Sequence, residues 1–232
     1  MLMAAMLACH EMDLLDAMRT TFSCREFTDE PVPDEAIFRI LDAARFAPSG
    51  GNRQGWRVVV VRDRAVRERM AELVKPIMRR YVAQTLAGEA PFNALVPSKV
   101  DEATVAKTPL PDATWRPIVD APVVLIVALD LARVTSFDRH LPRPGVVSGA
   151  SVYPFVWNLL LAARAEGYAG VLTTYLAPDE AEVRRLLRLP EAFALAAAVP
   201  LGRPRKTLTK LRRSPVESFA RLETWDGNPL SP

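Results

Sequence analysis

The sequence predicts an α+β fold in a single domain. Short runs of apolar and β-branched residues, typical of buried strands, occur at residues 56–61, 123–129, 169–175 and 193–201. Helical segments lie between these runs without strict strand–helix alternation, which favours α+β over a doubly wound parallel sheet. The 232 residues are 50% hydrophobic and 25% charged, as in soluble globular proteins that bury a core of their own.

Two helices are predicted ahead of the first strand. The first covers residues 12–19, and the second opens at residues 34–35, where two acidic side chains suit a helix N-terminus. Residues 48–51, Pro-Ser-Gly-Gly, end the second helix. The apolar stripes consist of Leu14, Leu15 and Met18 in the first helix and of Ile37, Leu41 and Ala44 in the second.

The middle of the chain combines a clear helix with a segment of mixed signals. Residues 63–74 predict a helix with Val66, Met70 and Leu73 on one face. Residues 75–117 contain several prolines, and we expect an insertion or lid there, with a helix near 76–87 followed by a loop.

The last third of the chain predicts two more helices and a polar end. Residues 150–166 are apolar on nearly every face, so this helix is expected to be deeply buried, with Gly167 capping it. A shorter helix follows at 178–187. Residues 203–232 are polar and basic and form a C-terminal arm.

Charge and hydropathy exclude several classes of protein. The net charge is only +3, and the 25 arginines and five lysines are scattered, which argues against a nucleic-acid-binding protein. No apolar run approaches the roughly 20 residues needed to span a bilayer. Residues 1–8 are apolar but short and lack a basic flank, so no secretory signal is predicted and the cytoplasm is the expected compartment.

Cysteine and histidine chemistry is equally sparse. Cys9 and Cys24 cannot form a disulfide framework, and His10 and His140 have no ligand spacing for zinc, so no metal site is expected. Cys24 is interpreted as a buried or idle thiol rather than a nucleophile. A Ser-His-Asp hydrolase is disfavoured because G-x-S-x-G is missing.

Three segments carry residues suited to ligand binding, although each has a plain structural alternative. Residues 19–27 place hydroxyls and arginines in one non-helical turn, either an anion cradle or a polar loop. Residues 47–56 contain two glycines and Asn52, which suit the edge of a uracil-like ring or merely connect a helix to a strand. Residues 204–215 are basic, and they either close on a phosphate or form a solvated tail.

These segments resemble, in order, the motifs of the nitroreductase family of FMN-dependent oxidoreductases. The resemblance runs from about residue 12 to 225 and leaves out 75–117. Matches to three motifs lie in the first quarter of the chain: to Arg-Arg-Ser-x-Arg-x-Phe at residues 21–27, to Pro-Val-Pro-x-Glu at 31–35 and to Ala-Pro-Ser-x-x-Asn-x-Gln-Pro-Trp at 47–56. Three more follow in the last third: to Asn-Leu-x-Leu-Ala-Ala at 158–163, to Leu-Gly-x-Pro at 201–204 and to an Arg-Arg-Pro-like arm at 212–215.

The resemblance implies a three-layer sandwich in which helices flank a central mixed sheet. It implies an intertwined homodimer that binds FMN at its interface, with contacts from both chains. NADH or NADPH would donate hydride to the flavin, and an electron-poor small molecule such as a nitroaromatic or a quinone would accept it. No nucleic-acid or membrane partner is expected.

The resemblance also implies roles for individual residues. Two are catalytic: Arg25 contacts the flavin N1–C2=O edge, and the backbone N–H near Thr174 faces N5. Thr21 stands where the family often has a phosphate-binding Arg, so Arg19 or the arm is expected to compensate. The implied cofactor-binding residues are Arg19, Thr21, Ser23, Arg25, Pro48, Ser49, Gly50, Asn52, Leu172, Thr173, Thr174, Arg212 and Arg213.

Two alternatives remain open for the function. The same fold could carry out dehydrogenation, reductive dehalogenation or breakdown of the flavin itself. A non-catalytic flavin-binding or flavin-storage protein belongs to a different class, and it would be yellow but not bleached by NAD(P)H. The chemistry in every enzymatic alternative belongs mainly to the flavin, which the protein binds, orients and tunes.

Overall fold

The computed structural model of the protein describes residues 12–232. Cys9, His10 and the apolar segment 1–8, on which the sequence analysis drew, lie outside the described residues. No helix in the described part is both long and apolar enough to cross a bilayer.

The described strands form one four-stranded sheet in the order β1-β2-β4-β3. The strands are β1 (Trp56–Val61), β2 (Val123–Asp130), β3 (Ala169–Gly170) and β4 (Phe193–Gly202). Every pair is antiparallel, so the predicted mixed sheet is wrong for the described residues. β2 and β4 are central and buried on both faces, which explains their continuous apolar sequences. β1 was expected to be buried but lies at an edge and is partly exposed.

Seven helices surround this sheet in the described residues. They are α1 (Leu14–Thr20), α2 (Asp34–Ala44), α3 (Arg64–Leu86), α4 (Glu102–Lys107), α5 (Arg116–Asp120), α6 (Tyr153–Ala165) and α7 (Glu180–Leu187).

Two hydrophobic cores, one on each face of the sheet, make the predicted three layers. Side chains alternate along β2, so Leu125 faces one core and Ile126 the other. The first core is closed by α2 and α6, and the second by α3, α5 and α7. The three-layer α+β sandwich expected from the sequence is therefore confirmed.

The predicted helix at 63–74 and the one near 76–87 are a single helix, α3, which continues through Pro76. Pro76 removes one intrahelical hydrogen bond. Val74 and Met78, on either side of it, are both buried in the second core, and this packing keeps the helix continuous. The rest of residues 75–117 contains α4 and the start of α5 rather than a loop alone.

The predicted third strand at 169–175 is shorter than expected. After Gly170 it continues as a single bridge between Thr173 and Ala198. Val171 lies opposite Pro200 of β4. Because Pro200 has no N–H to donate, the hydrogen-bond ladder is interrupted there.

The apolar helix α6 is only partly buried. Phe155, Val156 and Leu159 lie in the first core, whereas Tyr153 and Trp157 are exposed by 42% and 41%. The expectation of burial on nearly every face is therefore wrong for the isolated chain. Gly167 ends the helix with a φ of +78°, as predicted for a glycine C-cap.

Candidate functional site

The first cluster of predicted site residues is the turn after α1. Cys24 donates its N–H to Gly170 O over 3.0 Å, and Thr28 donates to Arg203 O over 2.9 Å. These bonds fix the turn beside β3 and the end of β4. Arg25 is exposed and forms no ion pair within residues 12–232, although its Nη1 lies 3.4 Å from Ser23 O. Its guanidinium is therefore available to a ligand.

Residues 172–174 lie along the same outer edge of β3. The N–H groups of Val171 and Thr173 point inward to β4, where they bond Pro200 O and Ala198 O. Because backbone groups alternate along a strand, the N–H of Thr174 points outward, to the side on which Gly170 O accepts from Cys24. Thr174 is exposed, and its N–H makes no hydrogen bond in the described chain.

Two of the predicted cofactor-binding residues, Thr21 and Thr173, use their side chains for hydrogen bonds within the fold. Thr21 is buried, and its hydroxyl donates to Ala17 O over 2.7 Å at the end of α1. The Thr173 hydroxyl donates to Ala198 O over 3.0 Å and is also buried. Arg19 lies exposed in the last turn of α1. Of these three side chains, only that of Arg19 is free to reach an anion.

The second cluster is the turn between α2 and β1. Ser49 Oγ accepts the N–H of Gln54 over 3.0 Å, and the Gly50 N–H donates to Ser151 Oγ over 3.2 Å. Asn52 has a φ of 52° and accepts at Oδ1 from Gln54 Nε2 over 3.1 Å. Gln54 has a φ of 49°, so two residues other than glycine adopt the left-handed conformation. Such strain is common at ligand sites, where the surroundings hold it.

The two clusters lie at opposite ends of the sheet. Ala121, just ahead of β2, packs against Cys24 and Phe27 next to Arg25. At the other end of β2, Asp130 donates its N–H to Gly55 O beside Asn52. Between these ends the strand rises about 3.3 Å per residue, so roughly 25–30 Å separates them. One chain alone does not bring Arg25 and Asn52 together.

The C-terminal arm adds no hydrogen bond to either cluster beyond its first residues. Arg205 donates its N–H to Glu26 O over 3.0 Å, which anchors the start of the arm near Arg25. Every hydrogen bond that residues 206–232 make with the described chain lies within the arm itself. Arg212 and Arg213 are exposed and are not placed against the predicted site residues of this chain.

Sequence reasoning missed a basic cleft beside Asn52. It has a volume of about 630 Å³ and is lined by Asn52, Arg53, Gln54, Arg57 and Arg133. The arginines come from segments some 80 residues apart, and no local motif connects them. A strand-pairing prediction that set the start of β1 against the end of β2 would have found them.

The buried Cys24 thiol is not a nucleophile in this arrangement. Burial raises its pKa, and its Sγ lies 3.3 Å from Glu26 O. The protonated thiol therefore predominates at neutral pH, consistent with the idle role expected from the sequence.

The chain belongs to the nitroreductase family, whose model matches residues 18–203. It is similar to an NADH dehydrogenase of Thermus thermophilus, with 30% identity over 84% of this chain and 88% of the relative. It is also similar to an iodotyrosine deiodinase of Thermotoga neapolitana, with 29% identity over 88% and 95%. A crystal structure of oxidised iodotyrosine deiodinase bound to FMN and 3-iodo-L-tyrosine has a TM-score of 0.63 and 25% identity, and the match covers 92% of this chain and all of that one.

Proposed function

We propose that the protein is an FMN-dependent oxidoreductase whose flavin sites form between two copies of the chain. The observation that carries this proposal is the separation of the two clusters. Arg25 and the outward Thr174 N–H lie on one edge, and Asn52 lies at the far end of the sheet. A two-fold axis that sets the first cluster of one copy against the second cluster of its partner completes two equal sites.

Exposed apolar side chains support a second copy as the partner. On the layer formed by α1, α2 and α6, Leu14, Phe38 and Trp157 are exposed by 65%, 72% and 41%. Phe219 and Trp225 on the arm are also exposed, and the arm has no hydrogen bonds to the body beyond Arg205. Apolar surface of this extent is typical of an interface. An obligate dimer of this kind buries well over about 2,000 Å².

The residues present suit a flavin. The free guanidinium of Arg25 would lie at the N1–C2=O edge and stabilise the negative charge of the reduced ring. The unpaired N–H of Thr174 would hold N5 in place. The side-chain NH₂ of Asn52 forms no hydrogen bond with the described residues, so it is free to donate to the pyrimidine edge from the partner copy.

FMN supplies the centre that accepts and then gives up hydride, and the protein's groups orient it. NAD(P)H is the proposed donor, because the Thermus thermophilus relative is an NADH dehydrogenase. An electron-poor acceptor such as a nitroaromatic or a quinone would then occupy the place that the donor leaves. No side-chain nucleophile is required in this scheme.

Reductive dehalogenation is the second candidate. The specific observation in its favour is the similarity to the Thermotoga neapolitana iodotyrosine deiodinase, which extends over 95% of that protein. In both schemes the flavin would supply electrons to an acceptor bound at the same place. The two functions therefore share one site and differ in the acceptor.

The absorbance spectrum of the purified protein tests the proposal. We expect a yellow protein with a flavin band, which bleaches on anaerobic addition of NADPH or NADH and recovers when a nitroaromatic or quinone is added. Recovery with a halotyrosine instead would favour dehalogenation. A protein that takes up no FMN on reconstitution would contradict the proposal, and bound flavin that no nicotinamide nucleotide bleaches would leave a flavin-storage function.

A further inference from the structure

Four arginines from three segments line two adjoining clefts at the end of the sheet that carries Asn52. Arg53 and Arg57 border the turn and the start of β1, and Arg133 follows β2 in the same cleft of about 630 Å³. Arg53 also lines the neighbouring cleft of about 530 Å³, together with Arg139. The predicted ring contact Asn52 lies in the wall of the first cleft.

Three of these four cations lack carboxylate partners. Arg53 donates to Thr135 Oγ1 over 2.5 Å, Arg57 to Trp56 O over 2.7 Å, and Arg139 to the neighbouring imidazole over 2.9 Å. None of the three has a carboxylate oxygen within 4.0 Å among residues 12–232. Arg133 alone is paired, 3.3 Å from Asp130.

Elsewhere on the described surface some arginines are paired with carboxylates, whereas others, such as Arg19 and Arg25, are not. Arg39 on α2, Arg64 on α3 and Arg184 on α7 each form an ion pair of 2.7–2.8 Å with a glutamate. Three unpaired guanidiniums around two clefts that share Arg53 produce a local positive field that attracts a multiply charged anion. Guanidinium forks match phosphate oxygens in pairs, which makes phosphate the favoured ligand chemistry.

The loop that carries Arg139 is held in place by a buried carboxylate. Asp138 is 3% exposed and accepts from the N–H of Val146 over 2.7 Å and from Arg143 Nη1 over 3.0 Å. On the other side of the cleft, Arg133 Nη1 donates to Arg53 O over 3.3 Å. The positions of the cationic residues are therefore set before any ligand arrives.

We propose that this basic cleft binds the phosphates of the nicotinamide dinucleotide and favours NADPH over NADH. The inference rests on the proposed function, because the donor must reach the flavin beside Asn52. NADPH carries a 2′-phosphate that NADH lacks, and the unpaired guanidiniums would bind this additional negative charge. The flavin's own phosphate belongs in this scheme to Arg19 and the arm.

Calorimetric titration of the FMN-loaded protein tests the inference without turnover. The probes are 2′,5′-ADP, which carries the 2′-phosphate, and 5′-ADP, which represents the pyrophosphate. The variant is Arg57→Gln with Arg139→Gln, and the matched control is Arg69→Gln, an exposed arginine of α3 near the opposite end of the sheet. Loss of charge-assisted hydrogen bonds corresponds to about tenfold in Kd for each arginine.

We expect the double variant to bind 2′,5′-ADP about 100-fold more weakly, while Arg69→Gln matches the wild type. The KM for NADPH should rise more than that for NADH, with the flavin band unchanged. A loss confined to 2′,5′-ADP assigns the cleft to the 2′-phosphate, whereas an equal loss with 5′-ADP would overturn the preference for NADPH.

Three results separate the possible failures. Equal probe affinity in the wild type and the double variant would overturn the inference but leave the flavin function intact. Loss of FMN from the double variant would also overturn it, because the cleft would then hold the flavin's phosphate. A wild-type protein that cannot be loaded with FMN would contradict the proposed function itself.

Discussion

Arg25 and Thr174 present different kinds of donor along one sheet edge. The guanidinium of Arg25 is exposed on a turn that two backbone hydrogen bonds, from Cys24 and Thr28, attach to the sheet. The Thr174 donor is a backbone N–H, whose direction is set by the inward bond of the preceding residue, Thr173, to Ala198. The Thr174 donor therefore depends on the position of the main chain, whereas the Arg25 donor depends on the side chain itself.

Arg25→Gln should produce a protein that stays yellow but reacts slowly. Without the cation at the N1–C2=O edge, the reduced flavin loses stabilisation, so its reduction potential falls and hydride transfer slows by about tenfold or more. Anaerobic stopped-flow bleaching and a redox titration measure the two effects. Arg45→Gln, which affects an exposed ion pair at the end of α2, is the control. An unchanged potential would show that Arg25 does not face the flavin.

Asp138→Asn should destabilise the 134–147 loop at neutral pH but not in acid. Hydrogen bonds from Val146, Arg143, Val147 and Ser136 hold the pKa of Asp138 well below its ordinary value. Because the pKa is lower in the folded state, the stabilisation is present above the unfolded value of about 4 and is lost as the pH falls below it.

Melting temperatures across the pH range measure this effect. The gap in Tm between the wild type and Asp138→Asn should be wide near neutrality and should narrow progressively as the pH falls below about 4. Asp29→Asn, at an exposed carboxylate 3.9 Å from Arg205, is the control and should show almost no gap. A gap of constant width would mean that the charge on Asp138 does not carry the stabilisation.

At the scale of elements, strands were easier to predict than the insertion. β1, β2 and β4 were predicted within one residue because runs of β-branched and apolar side chains define them. The division of α3 at Pro76 was wrong, since local propensity cannot show that burial on both sides of a proline keeps a helix intact. Residues 21–27 and 47–56 contain the turns expected from the sequence, but their placement at opposite ends of the sheet depends on strand pairing.

Pro76→Ala should stabilise the protein, because α3 is already continuous there. The proline is exposed and withholds one hydrogen bond from a regular helix, so its replacement should add about 1–3 kcal/mol to the free energy of unfolding. Urea denaturation measures the change. Arg69→Ala, at another exposed position of α3, is the control and should change stability by less than about 0.5 kcal/mol. Lower stability would show that the structure needs a kink at Pro76.

Beyond Arg205, the C-terminal arm forms no hydrogen bond with the rest of the described chain. If Arg212 and Arg213 clamp the flavin phosphate of the dimer, replacing both with Gln should weaken FMN binding by about two to four decades and leave the fold intact. Flavin fluorescence titration and circular dichroism test the two statements separately. Replacing Lys206 and Lys210 with Gln keeps the same loss of charge as a control. Full retention of FMN would move the clamp to Arg19.

At the scale of the whole molecule, three features lie on surfaces that a single chain does not cover. They are the basic cleft, the exposed apolar layer and the two separated clusters. Residues such as Arg57 and Arg133 meet only because β1 and β2 pair, so neither segment indicates a cleft by itself. A single sequence therefore indicates the family and most elements. Completion of the site requires the tertiary fold and, in the proposed function, a second copy.

Mixing two variants tests whether the flavin site is shared between copies. Arg25→Gln affects the first cluster and Asn52→Ala the second, so each homodimer carries two defective sites. In a mixed dimer with the proposed geometry, both defects fall in one site and the other site is intact. Random re-association of equal amounts makes half of the dimers mixed, so about one quarter of all sites should recover fast hydride transfer.

The amplitude of the fast phase in anaerobic stopped-flow, after subunit exchange in mild denaturant and reloading with FMN, measures this fraction. Exchange of Arg25→Gln with a tagged copy of the same variant is the control and should yield no fast phase. A site built within one chain would also yield none from the mixed variants, because each chain would keep its own defect. Sedimentation of the mixture verifies that the dimer has re-formed, so a missing fast phase would then contradict the shared site rather than the exchange procedure.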